Sequence, residues 1–267
     1  MLKQRVITSL VLAPLALAGV FLLPLNSFAL FIAVIISLSA WEWANLSGYK
    51  GRAAQGAYTA FIGLCCGLSL YVPPLWLLWL AALWWLVALI LVKKYPVSEK
   101  LLASRALRLV TGLFTLVPAW FGMYQLKLMP DGAWLIVTLL VIVWAADCGA
   151  YFAGKRFGKV KLIERVSPKK TLEGMVGGVL FAVLIVSLVT VLSSVSFFQG
   201  VSLLAVTIIT VLVSVLGDLW ESVLKRGRGL KDSGSLLPGH GGVLDRIDSL
   251  TAAIPVFTLY IMLLRGV

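Results

Sequence analysis

The chain has 267 residues, of which 61% are hydrophobic and only 13% are charged. Soluble domains are about 45–50% apolar and about 25% charged, so this composition excludes a water-soluble monomer. With 23 Lys and Arg against 11 Asp and Glu, the net charge of +12 is compatible with nucleic acid, an anionic membrane surface or an acidic substrate. The placement of the basic residues has to decide between these partners.

The predicted elements are nine apolar helices. A helix needs roughly 20 apolar residues to cross a hydrocarbon core of about 30 Å. Hydropathy and turn residues delimit spans at residues 6–24, 28–44, 57–72, 74–92, 107–125, 132–153, 174–195, 201–222 and 246–264. The breaks near residues 24–27 and 73–74 are the least marked, so eight or ten spans remain open. We therefore predict an all-α, polytopic integral membrane protein.

Residues 1–29 also have features of a cleaved signal peptide, with a basic start, an apolar run and small residues near Ala29. The apolar run is longer than such a peptide needs, and its removal would disturb the alternation of charge between loops. We therefore interpret this segment as the first membrane span.

The basic residues lie on one side of the predicted membrane. Every second loop holds the Lys and Arg excess, and of the 23 basic residues only Lys127 and Arg265 fall on the other side. Because basic loops face the cytoplasm, the N-terminus is predicted to be cytoplasmic. Membrane orientation thus accounts for the positive charge without nucleic acid as a partner.

The acidic residues are concentrated in the second half of the chain. Only Glu42, Glu99 and Asp131 precede residue 146, and the other eight lie within residues 147–248. An ionisable side chain within a span costs roughly 2.5–3.5 kcal/mol on insertion scales, so these acids mark a site. We divide the chain into lipid-facing scaffold helices (residues 1–130) and helices with cytoplasmic catalytic loops (residues 131–267).

Two groups of carboxylates lie at helix ends on the same predicted side. The inner end of the eighth span has polar residues at i, i+3, i+4 and i+7, a spacing that places them on one helical face. They are Asp218, Glu221, Ser222 and Lys225. A second pair, Asp245 and Asp248, begins the ninth span.

A glycine-rich segment, residues 227–242, connects these two helix ends and contains six glycines. Glycines allow backbone N–H groups to converge on an anion, and the start of the ninth span adds helix-terminal donors. Mg²⁺ takes oxygen ligands, typically one or two carboxylates plus substrate phosphates. The pattern therefore predicts divalent cations that hold a polyphosphate, with simple surface ion pairs as the alternative for any single residue.

Residues 222–248 contain Ser-Val-Leu-Lys-Arg, then Lys-Asp-Ser-Gly from residue 231, and Pro-Gly-His-Gly-Gly-Val-Leu-Asp-Arg-Ile-Asp from residue 238. This pattern resembles the signature of the phosphatidate cytidylyltransferase family, also called CDP-diacylglycerol synthases. The resemblance extends more weakly to residues 147–151 and 167–174, and in hydropathy to the whole chain.

The resemblance implies a reaction and its location. CTP (or dCTP) and phosphatidate would give CDP-diacylglycerol and pyrophosphate for phospholipid biosynthesis. The active site would face the cytoplasm at a bacterial-type inner membrane and use Mg²⁺, with a second cation such as K⁺ left open. Membrane lipids are further partners, nucleic acid is not expected, and a homodimer is reasonable.

The resemblance also implies roles for individual residues. The implied catalytic residues are Asp218, Asp245, Lys225 and Arg246. The implied metal ligands are Asp218 and Asp245, with Asp248 and Glu221 as further ligands or supports. Substrate contacts are implied for Ser222, Lys225, Arg226, Lys231, His240, Gly241, Gly242, Lys169, Lys170 and Asp147. For His240, a role in organising the loop is the alternative.

The basic segment before the seventh span predicts a second phosphate cradle. It contributes Lys169 and Lys170, and Thr171 is placed to cap the following helix. A solvated loop that contacts anionic lipid is the alternative.

Other features have structural interpretations. Trp41, Glu42 and Trp43, together with Trp76 and Trp79, are interpreted as interfacial belts. The repeats Gly63-x-x-x-Gly67 and Gly174-x-x-x-Gly178 favour close helix contacts, within the chain or between two copies.

Three other functions share part of this pattern. A CTP-dependent polyprenol kinase would share the basic loop but transfer the γ-phosphate, so product identity separates it from a cytidylyltransferase. A transporter would have its site near the membrane midplane, whereas these acids lie at helix ends. A scaffold would not need the glycine-rich loop, and a GxxxxGK[ST] loop for nucleotide binding is absent from the sequence.

Overall fold

The computed structural model describes residues 2–192, 196–237, 239 and 241–266, with residues 2–9 described by their backbone alone. Within these residues the chain forms α-helices and two short 3₁₀ turns, and no strand occurs in the described part. The helices are α1 (Leu2–Leu22), α2 (Leu25–Leu46), α3 (Arg52–Ser69), α4 (Pro74–Lys93), α5 (Arg105–Leu128), α6 (Gly132–Phe157), α7 (Leu172–Leu192), α8 (Phe197–Arg226) and α9 (Leu244–Arg265). Each predicted span corresponds to one helix, which confirms the all-α class.

Seven of the described helices, α2 and α4 to α9, are long and apolar enough to cross a membrane. Helix α1 contributes a shorter apolar stretch, Leu10–Leu22, and α3 falls outside the group. Helix α3 starts with Arg52 and buries Gln55, so its first turn is polar. A polytopic membrane protein is confirmed, whereas nine crossings stay a prediction.

Helix α8 is the longest of the described helices and extends the site beyond the predicted span. It starts with a capping box, in which Ser196 Oγ accepts from the N–H of Gln199 and the Gln199 side chain accepts from the N–H of Ser196. It ends at Arg226, followed by Gly227. Lys225 is therefore helical and shares a face with Asp218.

Glycines bring the site helices into close contact. A Cβ at Gly217 of α8 would lie 2.5 Å from the backbone oxygen of Asp248 in α9. A Cβ at Gly178 of α7 would lie 2.7 Å from the backbone oxygen of Ala146 in α6. The repeat that ends at Gly178 thus packs within the chain, whereas Gly63 and Gly67 have no described atom within 4 Å of such a Cβ.

Helix α9 lies at the centre of the fold. It contacts α2, α4, α5, α6 and α8, so helices from both halves of the chain surround it. Its side chains Ala252, Ala253 and Phe257 are fully buried. The helices assigned to the scaffold therefore support the helix that carries Asp245 and Asp248, and the division at residue 130 stays a prediction.

Candidate active site

Lys225 forms the centre of a buried ion-pair cluster. Its Nζ lies 3.0 Å from Glu221 Oε2 and 2.7 Å from Asp245 Oδ1, and the residue is only 7% exposed. Glu221 is one helical turn before Lys225, and Asp245 comes from the first turn of α9. Because an isolated charge is costly to bury, the carboxylates compensate the ammonium group of Lys225, and the cluster joins α8 to α9.

Asp245 also organises the glycine-rich loop. Its Oδ2 accepts hydrogen bonds from the N–H and Oγ of Ser233, at 2.9 and 3.0 Å, and from the N–H of Gly242 at 2.8 Å. Gly241 has φ +82°, and a Cβ there would lie 2.7 Å from the same oxygen. A glycine is therefore required for the loop to close around the carboxylate.

Glu42 of α2 is a site residue that the sequence interpretation missed. It is 2% exposed, its carboxylate accepts from the N–H groups of Val243 and Leu244 at 3.0 and 2.9 Å, and its Oε2 lies 2.9 Å from Ser233 Oγ. A carboxylate is favoured at a helix N-terminus, which here is that of α9. The intramembrane charge was a signal of function, but its tryptophan neighbours led to its assignment to an interfacial belt.

That belt interpretation is wrong for Glu42 and for Trp43. Trp43 is 1% exposed and donates from Nε1 to the backbone oxygen of Arg108 at 2.8 Å. Both side chains point into the protein because α2 packs against α5 and α9. Trp76 and Trp79 are exposed, and their assignment to a belt stays a prediction.

The predicted aspartates converge on one cavity of about 330 Å³. Its charged lining comes from α6, α8, α9 and the loop: Asp147, Asp218, Lys225, Asp232, Asp245, Arg246 and Asp248. The prediction that Asp218 and Asp245 lie together is therefore confirmed. Asp232 belongs to the recognised motif but was not among the predicted site residues.

Asp218 forms an ion pair with Lys170, in the basic segment before α7. Its Oδ2 lies 2.5 Å from Lys170 Nζ, and Ser222 Oγ donates to its Oδ1 at 3.4 Å. A second cavity of about 230 Å³, lined mostly by apolar groups, adjoins the first and shares Asp147, Asp218 and Ser249 with it. Lys169 and Lys170 line this second cavity, as the predicted phosphate cradle requires.

The segment that carries these lysines is held in place at both ends. Thr171 Oγ accepts from the N–H of Gly174 at 3.1 Å, which confirms its predicted capping role at α7. Glu173 accepts from the N–H of Val160 at 3.1 Å. Arg226 Nε donates to the backbone oxygen of Val166 at 3.1 Å, so it connects α8 to this segment rather than lining either cavity.

Not every predicted residue faces the cavities. Lys231 is exposed and Ser222 is buried beside Asp218, and neither lines a described cavity. Glu221 lies behind Lys225, with its carboxyl group next to that of Asp248. His240 and Pro238 lie outside the described residues.

The glycine-rich loop differs from the expected anion cradle. Its described N–H groups at Ser233 and Gly242 donate to Asp245, and the next two, at Val243 and Leu244, donate to Glu42. These four donors are occupied by carboxylates of the protein, whereas the substrate contact predicted for Gly241 stays a prediction. The loop instead holds Asp245 and Asp232 against the cavity.

The cavity offers hard oxygen ligands, which suit Mg²⁺. Among the described residues, no three His, Cys, Asp or Glu side chains are close enough to hold a metal by themselves. Mg²⁺ needs only one or two carboxylates when substrate phosphates and water complete its shell. Asp218 and Asp248 could supply these carboxylates, with Asp218 also paired to Lys170. Both oxygens of Asp245 are occupied, by Lys225 and by the N–H groups of Ser233 and Gly242, and Glu221 pairs with Lys225.

The fold and the site define a polytopic α-helical membrane protein with a cavity lined by five aspartates, a lysine and an arginine. The chain belongs to the cytidylyltransferase family, whose model matches residues 3–264. It is therefore a nucleotidyltransferase, and the resemblance seen in residues 222–248 is confirmed.

Bacterial relatives match along nearly the whole chain. A protein named phosphatidate cytidylyltransferase from Pseudomonas aeruginosa is 50% identical over 259 residues, which cover 96% of each chain. A protein of the same name from Haemophilus influenzae is 39% identical over 284 residues, covering 97% of this chain and 98% of the relative. One from Staphylococcus aureus is 34% identical over 270 residues, covering 98% and 99%.

Proposed function

We propose that this nucleotidyltransferase transfers the cytidylyl group of CTP to phosphatidate and releases pyrophosphate. The observation that carries the proposal is the joint lining of one cavity by Asp218, Asp245, Lys225 and Arg246. The names of the relatives from three bacteria agree with this reaction.

The reaction brings two anionic substrates together, so positive charge is needed to offset their repulsion. An oxygen of the phosphatidate phosphate forms a bond to the α-phosphorus of CTP, the bond to the β-phosphate oxygen breaks, and pyrophosphate leaves. Such transfers are accelerated by positioning and charge neutralisation rather than by a covalent side chain. Lys170, Lys225 and Arg246 supply positive charge, and the ionised lipid phosphate needs no dedicated base.

The two adjoining cavities suggest where each substrate binds. The cavity that contains Lys169 and Lys170 also has apolar lining from Met175 and Val215, as a lipid headgroup with its glycerol backbone would require. The neighbouring cavity offers Arg246 and Lys225 to the triphosphate, and its five aspartates would require bound Mg²⁺ to offset their charge. Their common wall contains Asp218, so the reacting phosphates would meet beside it.

Asp218 and Asp248, with Asp147 beside them, are the residues that would hold Mg²⁺ together with substrate phosphates. When bound, Mg²⁺ supplies charge neutralisation and orients the phosphates, and a second cation such as K⁺ stays open. In this proposal Asp245 and Glu221 act through Lys225, because that ammonium group already pairs with both carboxylates.

Two further aspects of the proposal concern placement and assembly. The basic loops support a cytoplasmic active site at a bacterial inner membrane, because they all fall on the side that carries the cavity residues. Labelling of a cysteine introduced at Lys231 in sealed inside-out and right-side-out vesicles tests this orientation.

A homodimer stays a prediction, which light scattering of the purified protein can check.

The reaction is tested with the full-length protein purified in detergent. CTP labelled at the α-phosphate is incubated with phosphatidate and Mg²⁺, and the lipid and aqueous products are separated. We expect label in the lipid together with an equal amount of pyrophosphate. Release of CDP with phosphorylated lipid would contradict the proposal and favour the polyprenol kinase class. Asp131→Asn, at an exposed residue outside the cavities, is the matched control for variants of the site acids.

A further inference from the structure

A third cavity, of about 340 Å³, lies on the other side of α8. It is formed between the segment that joins α4 to α5, the first turn of α5 and the end of α8. Val223 and Leu224 face this cavity, whereas Asp218 and Lys225 face the catalytic one. The two cavities share no lining residue, so this one is separate from the proposed reaction.

Three arginines and one carboxylate give the third cavity its charge: Arg105, Arg108, Arg228 and Glu99. In the part of the chain that the structure describes, none of the four forms an ion pair within 4 Å, since all three ion pairs found there belong to the catalytic site. An uncompensated positive charge thus remains at the cavity wall.

Arg108, which lines this cavity, carries an unpartnered polar atom. The residue is only 7% exposed, and one terminal nitrogen donates to the backbone oxygen of Ser47 at 3.1 Å. Its Nε is buried and has no hydrogen-bond partner among the described residues, and the same holds for Arg228 Nε. A buried donor without an acceptor is costly, so the protein itself does not supply either guanidinium group with its full set of acceptors.

We infer that this cavity binds a phosphate group at Arg105, Arg108 and Arg228. The planar guanidinium group presents several donors in a fork that matches phosphate oxygens, and an anion there would balance the positive charge that Glu99 leaves uncompensated. The inference does not depend on the proposed function, because none of these residues lines a catalytic cavity.

The phosphate has two chemically equivalent sources, a lipid headgroup and a free phosphate. The exposed apolar side chains of Val97 and Leu101 lie in the segment that forms one wall, where the acyl chains of a membrane lipid would be near. An occupant would also contact Gly227 and Arg228, at the beginning of the glycine-rich loop. The N–H of Arg228 donates to the backbone oxygen of Lys225 at 3.1 Å. An anion bound to Arg228 would therefore lie next to a residue that contacts the ion-pair cluster of Lys225.

The first test measures inorganic phosphate binding from the rise in Tm of the purified full-length protein, titrated against chloride at equal ionic strength. All proteins compared carry Lys170→Gln, so that phosphate binding at the predicted cradle of Lys169 and Lys170 contributes less to the rise in Tm. Adding Arg105→Gln and Arg228→Gln should raise the phosphate concentration for half the shift by about tenfold, because charge-assisted hydrogen bonds are lost. Arg108 is left unchanged because its side chain also donates to the backbone oxygen of Ser47, a contact that supports the fold.

The second test measures retention of phosphatidylglycerol by native mass spectrometry of the same proteins. Lys100→Gln, at an exposed basic residue of the same segment that does not line the cavity, is the matched control for both measurements. Arginine-dependent binding of phosphatidylglycerol assigns the site to a lipid headgroup, and arginine-dependent binding of phosphate alone assigns it to a soluble anion. If neither probe distinguishes the double arginine variant from its control, the inference is overturned.

Discussion

Ser233 Oγ lies 2.9 Å from Glu42 Oε2 and 3.0 Å from Asp245 Oδ2. The hydroxyl group thus joins α2 to the glycine-rich loop across a separation of 191 residues. Because Glu42 also binds two N–H groups at the start of α9, the helix that presents Asp245 is held from the opposite half of the chain.

Replacement Glu42→Gln should reduce turnover by about tenfold or more and lower Tm. The amide keeps the size of the side chain but loses the negative charge that accepts from Val243 and Leu244, and hydrogen bonds to charged groups contribute about 1.5–3 kcal/mol each. Initial rates of lipid labelling and thermal unfolding in detergent measure the two effects. The Asp131→Asn control should match wild type in both. Unchanged activity in Glu42→Gln would remove this residue from the site.

Replacement Lys225→Met should abolish turnover and destabilise the protein by about 3–5 kcal/mol, since it leaves two buried carboxylates without their cation. The companion variant Glu221→Gln with Lys225→Met should recover part of the stability, because one of the two charges is removed, yet remain inactive. Chemical denaturation and the labelling assay separate these outcomes. Lys50→Gln, at an exposed residue, is the control. If both Lys225 variants had wild-type stability, the ion-pair cluster would not be an energetic link between α8 and α9.

Replacement Asp218→Asn should lower turnover by at least about 100-fold while changing stability by no more than about 1 kcal/mol. The ion pair with Lys170 is partly exposed, and pairs of that kind contribute little to stability, whereas the carboxylate lines both catalytic cavities. Turnover is compared with that of Glu164→Gln, an exposed acid in the loop before α7. Near-normal turnover in Asp218→Asn would exclude it as a ligand of the proposed metal.

Chelation of divalent cations should abolish turnover without lowering the Tm of the substrate-free protein. Asp218 and Asp245 already pair with Lys170 and Lys225, so we expect the fold to persist when the metal is removed. Readdition of Mg²⁺ should restore the rate, and K⁺ is added separately to test the second cation. Full activity after complete chelation would contradict the magnesium proposal.

Replacement Gly241→Ala should impair both loop order and activity more than Gly229→Ala. Both glycines have positive φ, at +82° and +64°, and a side chain in that region costs roughly 1–2 kcal/mol. A Cβ at Gly241 would also press against Asp245, whereas one at Gly229 meets nothing within 4 Å. Limited proteolysis and the labelling rate measure the difference. Equal effects of the two substitutions would show that the contact with Asp245 is unimportant.

Much of the site was predictable because helical spacing is local. Asp218 and Lys225 are separated by two helical turns, so an α-helix necessarily places them on one face. The same reasoning placed Asp248 beside Asp245, and the motif around these residues indicated the family. For Thr171, its position immediately before an apolar run was enough to predict the cap.

Partners that come from distant elements were not predictable in this way. The pattern that suggested a phosphate-binding loop was compatible with any anion, and the structure supplies Glu42 and Asp245 as those anions. Arg226 was expected to bind substrate, but the direction of its side chain depends on how the segment that contains Val166 packs against α8.

The amino-acid sequence alone determined the membrane class, the helices and the shared face of α8, because each depends on composition or on spacing within one element. Tertiary packing decided which carboxylates pair with Lys225, which acceptors the loop N–H groups contact and which arginines are left without an acceptor. Those outcomes depend on distances between helices that are far apart in the chain, and local periodicity carries no information about such distances.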